Sequence, residues 1–265
     1  MIIEDEPFLI KCNPTCIIWR YMDLEKFEFL LRDRALFLCR SDKFSDPFEA
    51  TTPRRESEYR VKEYIRCSRL LNNPMTMEEA IEKSDEMADL HKRFRIALII
   101  NCWHINSTES DAMWRLYLKT NEGVAIQTTY ERLIHSLQDN QDQIFVSKVR
   151  YLDYDKDIWY HEHDYPMRGY DLYSPIVHKR KAFGHENELR VFQKIEEAVD
   201  TPNYWDHQPN KIGRNLPCNV EILIDKIILP PTAEDDVREK VKSILNKYGF
   251  KVEIIKSKLK DPPIY

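Results

Sequence analysis

Residues 179–192 place charged side chains at every second position, and this pattern constrains the fold more than any other part of the chain. The charged residues are Glu186, Glu188 and Arg190. In a strand, successive side chains alternate between the two faces of a sheet. The three charged side chains would then share one face, and the opposite face would be formed by Asn187, Leu189 and Val191. Such a strand can form the floor of a polar cleft.

The same segment is also compatible with a helix. Glu186 and Arg190 would then form an i,i+4 pair on a solvated surface, which contributes only about 0.2–0.5 kcal/mol. Strand-like segments elsewhere in the chain favour the first interpretation. We therefore treat the polar face of a strand as the working hypothesis.

The first 50 residues predict a strand, a helix and a second strand. Residues 15–22 are β-branched and aromatic, which favours a strand. Asp23 is a typical N-cap, and the helix after it has one apolar stripe, formed by Leu24, Phe27, Leu30 and Leu31. Residues 35–40 predict the second strand, and residues 41–50 predict a compact loop.

The rest of the chain predicts a single α+β domain over residues 1–265 with a helical insertion at about residues 56–98. Thr108 and Asp111 form a T-x-x-D pattern, which predicts a capped helix over the residues that follow. Residues 201–217 are rich in Pro, Asn, Asp and Gly and predict a loop, whereas residues 220–229 predict a strand.

Composition limits the classes of partner. The net charge of −5 argues against a protein that coats nucleic acid through bulk charge, although a local basic cluster could hold a phosphate. The six cysteines are dispersed and contain no C-x-x-C pair, which predicts reduced thiols. The sequence has neither an apolar run long enough for a membrane span nor a signal-peptide pattern. We expect a cytoplasmic protein without a membrane partner.

Five separated motifs carry a resemblance to a known family. They are W-R-Y-M-D at 19–23, F-S-D-P-F-E at 44–49, M-W-R-L-Y at 113–117 followed by G-V-A-I at 123–126, V-R-Y at 149–151, and K-R-x-x-F-x-x-E-x-E-x-R at 179–190. In order and content they resemble a bacterial and phage family catalogued as a domain of unknown function, with F-N-D-P-F-E, M-W-x-x-Y, G-V-x-I and E-x-E-x-R motifs. Ser45 replaces the Asn that is usual in that family.

The family's architecture is in turn similar, more distantly, to the ADP-ribosyltransferase fold. In that fold an early strand supplies an Arg or His and an aromatic residue for NAD, and a late strand supplies a Glu. The resemblance implies a mixed α+β fold with a largely antiparallel sheet, whole or split, and surrounding helices. It also implies an NAD-consuming enzyme, in a setting of bacterial or phage conflict, that transfers ADP-ribose to a protein or nucleic acid or hydrolyses NAD.

This resemblance assigns a role to each candidate residue. Cleavage of the nicotinamide–ribose bond develops positive charge on the ribose, which a fixed carboxylate stabilises. Glu188 would be that carboxylate, and Glu186 a base that orients the acceptor. Arg20 would donate to the diphosphate. The remaining cofactor-binding candidates are Tyr21, Trp114, Tyr117 and Arg190.

Most of these residues also have a structural interpretation. Trp114 and Tyr117 lie at helical spacing and fit a core, and Arg20 could pair with Glu186 or Glu188. Further candidates for binding a substrate or phosphate are Lys179, Arg180, Ser45, Asp46 and Glu49. Their structural alternatives are solvated surface charge for the basic run and a simple turn for the loop.

Two alternative functions and one possible metal site also follow from the sequence. In a nucleic-acid-directed effector or nuclease, residues 179–181 and Arg190 would bind phosphates, and Glu186 and Glu188 would act in acid–base or metal chemistry. A non-catalytic nucleotide sensor is the other alternative. A Y-H-E-H-D-Y stretch could chelate zinc, but it lacks a distant third ligand, so we expect no metal; its candidate ligands are His161, His163 and Asp164.

Overall fold

A central mixed β-sheet organises the molecule, as seen in a computed structural model that describes residues 1–118, 122–159, 172–201, 203–208 and 211–263. Within these ranges the sheet has ten strands, and two further strands form a small parallel ladder. The strands are β1 (Ile2–Ile3), β2 (Ile17–Asp23), β3 (Ala35–Arg40), β4 (Leu98–Ile105), β5 (Gly123–Thr129), β6 (Ile144–Lys148), β7 (Arg150–Leu152), β8 (His178–Arg180), β9 (Glu188–Lys194), β10 (Gly213–Pro217), β11 (Lys226–Leu229) and β12 (Glu253–Lys256).

Helices pack on both faces of the sheet. They are α1 (Leu24–Asp33), α2 (Arg54–Leu70), α3 (Met77–Ala97), α4 (Asp111–Tyr117), α5 (Tyr130–Ser136), α6 (Ser174–Val177), α7 (Glu196–Asp200), α8 (Val220–Leu223) and α9 (Asp235–Lys247). Short 3-10 helices lie at Ser41–Lys43, Lys181–Glu186 and Tyr204–His207. The predicted α+β class with a mostly antiparallel sheet is confirmed. No helix in the described ranges combines the length and apolar character that a membrane span requires.

The sheet is split beside β4. On one edge β4 pairs with β9 over seven residues, from Leu98↔Lys194 to His104↔Glu188. On the other edge it pairs with β2 only at Ile18↔Ile105 and Trp19↔His104, and with β3 only at Cys39↔Ile100 and Arg40↔Ile99. Residues 101–103 have no strand partner on that edge among the described residues. The strands β2 and β3 therefore diverge and leave a gap at the centre of the molecule.

Alternation along the strands separates two apolar layers. The larger core lies under α1, α5 and α9 and includes Ile18, Trp103 and Val191. The opposite face carries two smaller clusters, one around Trp19, Tyr21 and Trp114 and the other around Leu98, Ile100, Phe145 and Phe192. By alternation along β9, Glu188 and Arg190 lie on the same face as Phe192 of the second of these clusters.

Local signals explain which elements the sequence predicts. Asp23 caps α1 by accepting a hydrogen bond from the Lys26 backbone N–H, as predicted. The segment predicted to be a helical insertion contains α2 and α3, and α3 begins with a capping box between Thr76 and Glu79.

One predicted helix cap, one predicted loop and the first half of one predicted strand are wrong. Ser110, rather than Thr108, caps α4 through the Met113 N–H. The predicted loop at 201–217 contains β10, which pairs with the distant β3. The predicted strand at 220–229 begins with the helical turn α8, because the Asn219 side chain caps it by accepting from the Ile222 N–H.

Candidate active site

A cavity of about 660 Å³ occupies the gap between β2 and β3. Because it passes through the split sheet, side chains from both faces line it. Its polar lining includes Arg20, Asn101, His104, Tyr117, Glu186 and Glu188. Its apolar lining includes Met22, Leu30, Leu36, Phe37, Phe44 and Ile212. The cavity thus combines acidic groups, the basic side chains of Arg20, Arg32 and Lys26, and an apolar wall, as small-molecule sites commonly do.

The two candidate carboxylates reach this cavity by different routes. Glu188 is the first residue of β9 and lies opposite His104 of β4. Glu186 lies on the 3-10 helix before β9, so the predicted strand does not include it. Between them Asn187 adopts a left-handed conformation with φ of 40°, which Asn tolerates better than most residues. The Asn187 side chain donates to the Ile105 carbonyl and holds this turn against β4.

Lys179 joins the two carboxylates. Its Nζ atom lies 2.6 Å from Oε2 of Glu186 and 2.7 Å from Oε1 of Glu188. Lys179 is only 5% exposed and lies on β8, in the small parallel ladder. The positive charge of Lys179 is paired with these two carboxylates inside the protein. Lys179 is therefore not available as the phosphate-binding cation that the sequence suggested.

Arg190 joins Lys179, Glu186, Glu188 and Glu49 in one buried cluster of charged side chains. Its Nε donates to Oε2 of Glu188 at 2.7 Å, and its Nη1 donates to Oε1 of Glu49 at 2.7 Å and to the Ile176 carbonyl at 2.6 Å. Arg190 is fully buried and does not line the cavity. Contrary to the sequence-based prediction, Arg190 has no surface to offer a cofactor.

The surroundings of Glu186 and Glu188 shift their two pKa values in opposite directions. Burial, together with the hydrogen bond to Glu188 and its negative charge, raises the pKa of Glu186 to about 8. Burial also acts to raise the pKa of Glu188, but Arg190, the hydrogen bond from Glu186 and Lys179 outweigh it and hold that pKa well below its usual range. These opposite shifts favour the protonated form of Glu186 and the ionised form of Glu188 at neutral pH.

Arg20 approaches the cavity from β2 without an acidic partner. Its Nη1 donates to the Cys102 carbonyl at 2.8 Å, and its guanidinium lies 5.9 Å from the Trp103 ring. Among the described residues no carboxylate forms an ion pair with Arg20. Burial lowers its pKa, but an arginine remains charged at neutral pH. An uncompensated guanidinium beside a cavity favours an anionic ligand.

The three predicted aromatic residues have different environments. Tyr21 lines the cavity, and its hydroxyl oxygen accepts from the Ser110 N–H at 2.9 Å. Trp114 packs edge-on against Tyr21 at 4.9 Å, is 3% exposed and does not line the cavity, so it is a core residue that supports Tyr21. Tyr117 lines the cavity and is partly exposed, which leaves its ring available to a ligand.

The loop at 44–49 lines the cavity through Phe44, and its Glu49 pairs with the buried Arg190. Asp46 pairs with Arg180, from Nη2 to Oδ1 at 2.6 Å, and its Oδ1 also accepts from the Phe48 N–H. Arg180 stacks over the Phe48 ring at 4.4 Å. Ser45 is exposed and does not line the cavity. Asp46 and Arg180 neutralise each other, and neither lines the cavity.

Two polar residues of β4 also line the cavity, and the sequence prediction missed them. His104 has Nδ1 2.6 Å from the Glu186 carbonyl oxygen, and burial lowers its pKa, so its neutral form is favoured. Asn101 donates to the Phe37 carbonyl at 2.9 Å, which connects β4 to β3 across the split. The available signal was the presence of two polar residues in the otherwise apolar strand L-I-I-N-C-W-H-I.

No metal centre is evident in the part of the chain that the structure describes, since it contains no group of three or more His, Cys, Asp and Glu side chains arranged to hold an ion. The zinc candidates His161, His163 and Asp164 lie outside the described residues. No protein-family model matches the chain, and neither a curated protein nor a solved structure is significantly similar to it.

Proposed function

We propose that this protein is an NAD-consuming enzyme that cleaves the nicotinamide–ribose bond and transfers ADP-ribose to a macromolecule or to water. The observation that carries this proposal is that an uncompensated Arg20 and an ionised Glu188 line one cavity. Only strand β4 separates the strands that bear them, so their backbones lie roughly 10 Å apart. A ligand with an anionic group near one end and a reacting ribose near the other matches this spacing.

Each group has a defined part in the chemistry. Arg20 binds the diphosphate and fixes the position of the ribose. When the glycosidic C–N bond breaks, its electron pair leaves with the nicotinamide nitrogen, and positive charge develops on the ribose carbon. The Glu188 carboxylate stabilises that charge. Tyr117 is partly exposed and lines the cavity, so its ring is available for stacking with the nicotinamide or the adenine base.

Glu186 acts on the acceptor. The acceptor oxygen or nitrogen forms a bond to the ribose carbon and loses a proton, which ionised Glu186 can take. Because the pKa of Glu186 is raised to about 8, this ionised form is a minority at neutral pH. We therefore expect turnover to increase with pH, with a midpoint near pH 8.

The resemblance of the five motifs to the family described above supports the same proposal. It also suggests a role in conflict between bacteria and phages. The nuclease alternative loses support, because Lys179 and Arg190, which it needs for phosphate binding, are buried in ion pairs with carboxylates. The remaining alternative is a nucleotide sensor without turnover, which the experiment must distinguish from an enzyme.

The proposal is tested with the purified protein by thermal shift in the presence of NAD and by nicotinamide release. Glu188→Gln keeps the shape of the side chain but removes its charge, and we expect release to fall by about 10²–10³-fold. The variant should fold, because the loss of one negative charge can be offset by ionisation of Glu186. Glu253→Gln, which changes an exposed carboxylate on β12, is the matched control.

Each outcome has a definite meaning. Stabilisation by NAD with release that depends on Glu188 supports the enzyme. Stabilisation without release in the wild type indicates a sensor. Neither stabilisation nor release, in a folded protein, contradicts the proposed function.

A further inference from the structure

Glu49 is a third carboxylate in the buried cluster, although it does not line the cavity. Its Oε1 accepts from Arg190 at 2.7 Å, and its Oε2 lies 3.7 Å from Nζ of Lys179. Both cations also bind Glu188. We propose that Glu49 is a positioning residue whose negative charge keeps one proton on the Glu186–Glu188 pair.

The count of charges in the cluster supports this role. If every carboxyl group were ionised, three negative charges from Glu49, Glu186 and Glu188 would face two positive charges from Lys179 and Arg190. All five side chains are at least nine-tenths buried, so an excess charge is poorly solvated. One proton on the pair makes the cluster neutral. Without the charge of Glu49, the same two cations could balance two ionised carboxylates.

The groups that face the pair come from several elements. They are Lys179 of β8, Arg190 of β9, Glu49 of the loop before α2, His104 and Cys102 of β4, Tyr117 of α4, and Tyr151 of β7. Burial favours the neutral forms of His104 and Cys102 and raises the pKa values of Tyr117 and Tyr151. Among the buried members, Glu49 is therefore the carboxylate outside the pair that can oppose its second ionisation.

The role of Glu49 is indirect, and it rests on the proposed function only where turnover is concerned. Glu49 reaches the pair through Lys179 and Arg190, both of which it contacts. Its loop also carries Asp46, which pairs with Arg180 outside the cluster. The same loop thus provides the residue to be tested and a matched control.

The direct test is a titration of the Glu186 carboxyl carbon by NMR, in protein labelled with ¹³C at the side-chain carboxyl groups of glutamate. The resonance is assigned by its loss in Glu186→Gln. In Glu49→Gln, which keeps an oxygen acceptor for Arg190, the midpoint should fall by about one pH unit or more, because a like charge has been removed. In Glu49→Asp, which keeps the negative charge, the Glu186 midpoint should lie close to that of the wild type.

The control is Asp46→Asn. It removes a carboxylate from the same loop and breaks the ion pair with Arg180, but it leaves the charge of the cluster unchanged. We expect the Glu186 midpoint of this variant to match that of the wild type. An equal shift in Asp46→Asn and Glu49→Gln would mean that the loop acts through structure, and it would overturn the proposal. An unchanged midpoint in folded Glu49→Gln would overturn it as well.

A second readout connects Glu49 to catalysis. If NAD is turned over, the rise of nicotinamide release with pH should move to lower pH in Glu49→Gln, in step with the NMR midpoint. If NAD is not turned over, the titration still decides the role of Glu49. Failure of the proposed function and failure of this inference are therefore distinguishable.

Discussion

Lys179 and Tyr151 are direct register partners in the β7–β8 ladder, and both contact Glu188. Nζ of Lys179 donates to the Glu188 carboxylate at 2.7 Å, and the Tyr151 hydroxyl oxygen accepts from the Glu188 backbone N–H at 2.9 Å. The small ladder thus holds both the main chain and the side chain of Glu188. This contact gives the V-R-Y and K-R motifs a shared structural purpose, which is to fix one carboxylate at the cavity.

Replacement of Arg20 by Met should separate binding from stability. Arg20 has no acidic partner among the residues that the structure describes, so its removal leaves no unpaired charge there, and we expect the free energy of unfolding to change by about 1 kcal/mol or less. Binding of ADP-ribose should weaken by about tenfold or more, because a charge-assisted contact to the diphosphate is lost. Isothermal titration calorimetry and urea denaturation measure the two effects.

Arg190→Met is the contrasting variant. It would leave Glu49 and Glu188 without one of their two cations in a buried site, which should reduce the free energy of unfolding by about 3–5 kcal/mol. If Arg20→Met destabilised the protein as much as Arg190→Met, the view of Arg20 as a ligand-binding cation would be wrong.

Short-range signals explain how much of the fold could be predicted. The cap at Asp23 and the apolar stripe of α1 depend on neighbouring residues, and the prediction there is accurate. The strand β10 has the sequence G-R-N-L-P, which lacks a clear alternation, and it forms because it pairs with β3 more than 170 residues away. Such non-local pairing has no signature in the local sequence.

The candidate site was predictable only in part, because the sequence shows charges but not their partners. Glu188 and Arg190 do share one face of a strand, as the alternation indicates. The basic residues Lys179 and Arg190 have the composition of a phosphate site, yet both are neutralised by carboxylates from distant positions, including Glu49. From the sequence, Arg20 could equally have paired with Glu186 or Glu188. In the structure its guanidinium instead donates to the Cys102 carbonyl of β4, and no carboxylate among the described residues forms an ion pair with it.

Gly213→Ala should disturb the wall of the cavity. A Cβ atom at this position would lie 2.0 Å from the Leu38 carbonyl oxygen and 2.8 Å from Cζ of Phe37, and the backbone atom cannot move without displacing β3. We expect a loss of about 1–3 kcal/mol in the free energy of unfolding and weaker ligand binding, since the adjacent Ile212 lines the cavity.

Gly184→Ala is the matched control, because a Cβ atom there has no neighbour within 4 Å. Its effect on the free energy of unfolding should stay within about 0.5 kcal/mol. Urea denaturation of both variants tests the comparison, and equal stability of the two would show that β10 can shift at little energetic cost.

The buried His178 should make stability depend on pH below neutrality. Its Nδ1 lies 2.6 Å from the Ser174 carbonyl oxygen, and burial lowers its pKa to about 4 from an ordinary value of 6.5. At pH 7 this residue is mostly neutral in both the folded and the unfolded state. As the pH falls from 6.5 to 4, the unfolded state binds a proton that the folded state does not, so the free energy of unfolding decreases by about 3 kcal/mol in total.

The variant His178→Gln removes the pH dependence that His178 causes, independently of how much the substitution changes the free energy of unfolding at pH 7. The difference in unfolding free energy between variant and wild type should therefore shift in favour of the variant by about 3 kcal/mol between pH 7 and pH 4. The comparison isolates the contribution of His178, which is necessary because Glu56 and Glu186 change the stability in the opposite direction. Their pKa values are raised in the folded protein, so above pH 4.5 the folded state retains protons that the unfolded state releases, and the free energy of unfolding increases as the pH falls. Denaturant unfolding at several pH values measures the difference, and parallel curves for the two proteins would show that His178 is protonated without unfolding.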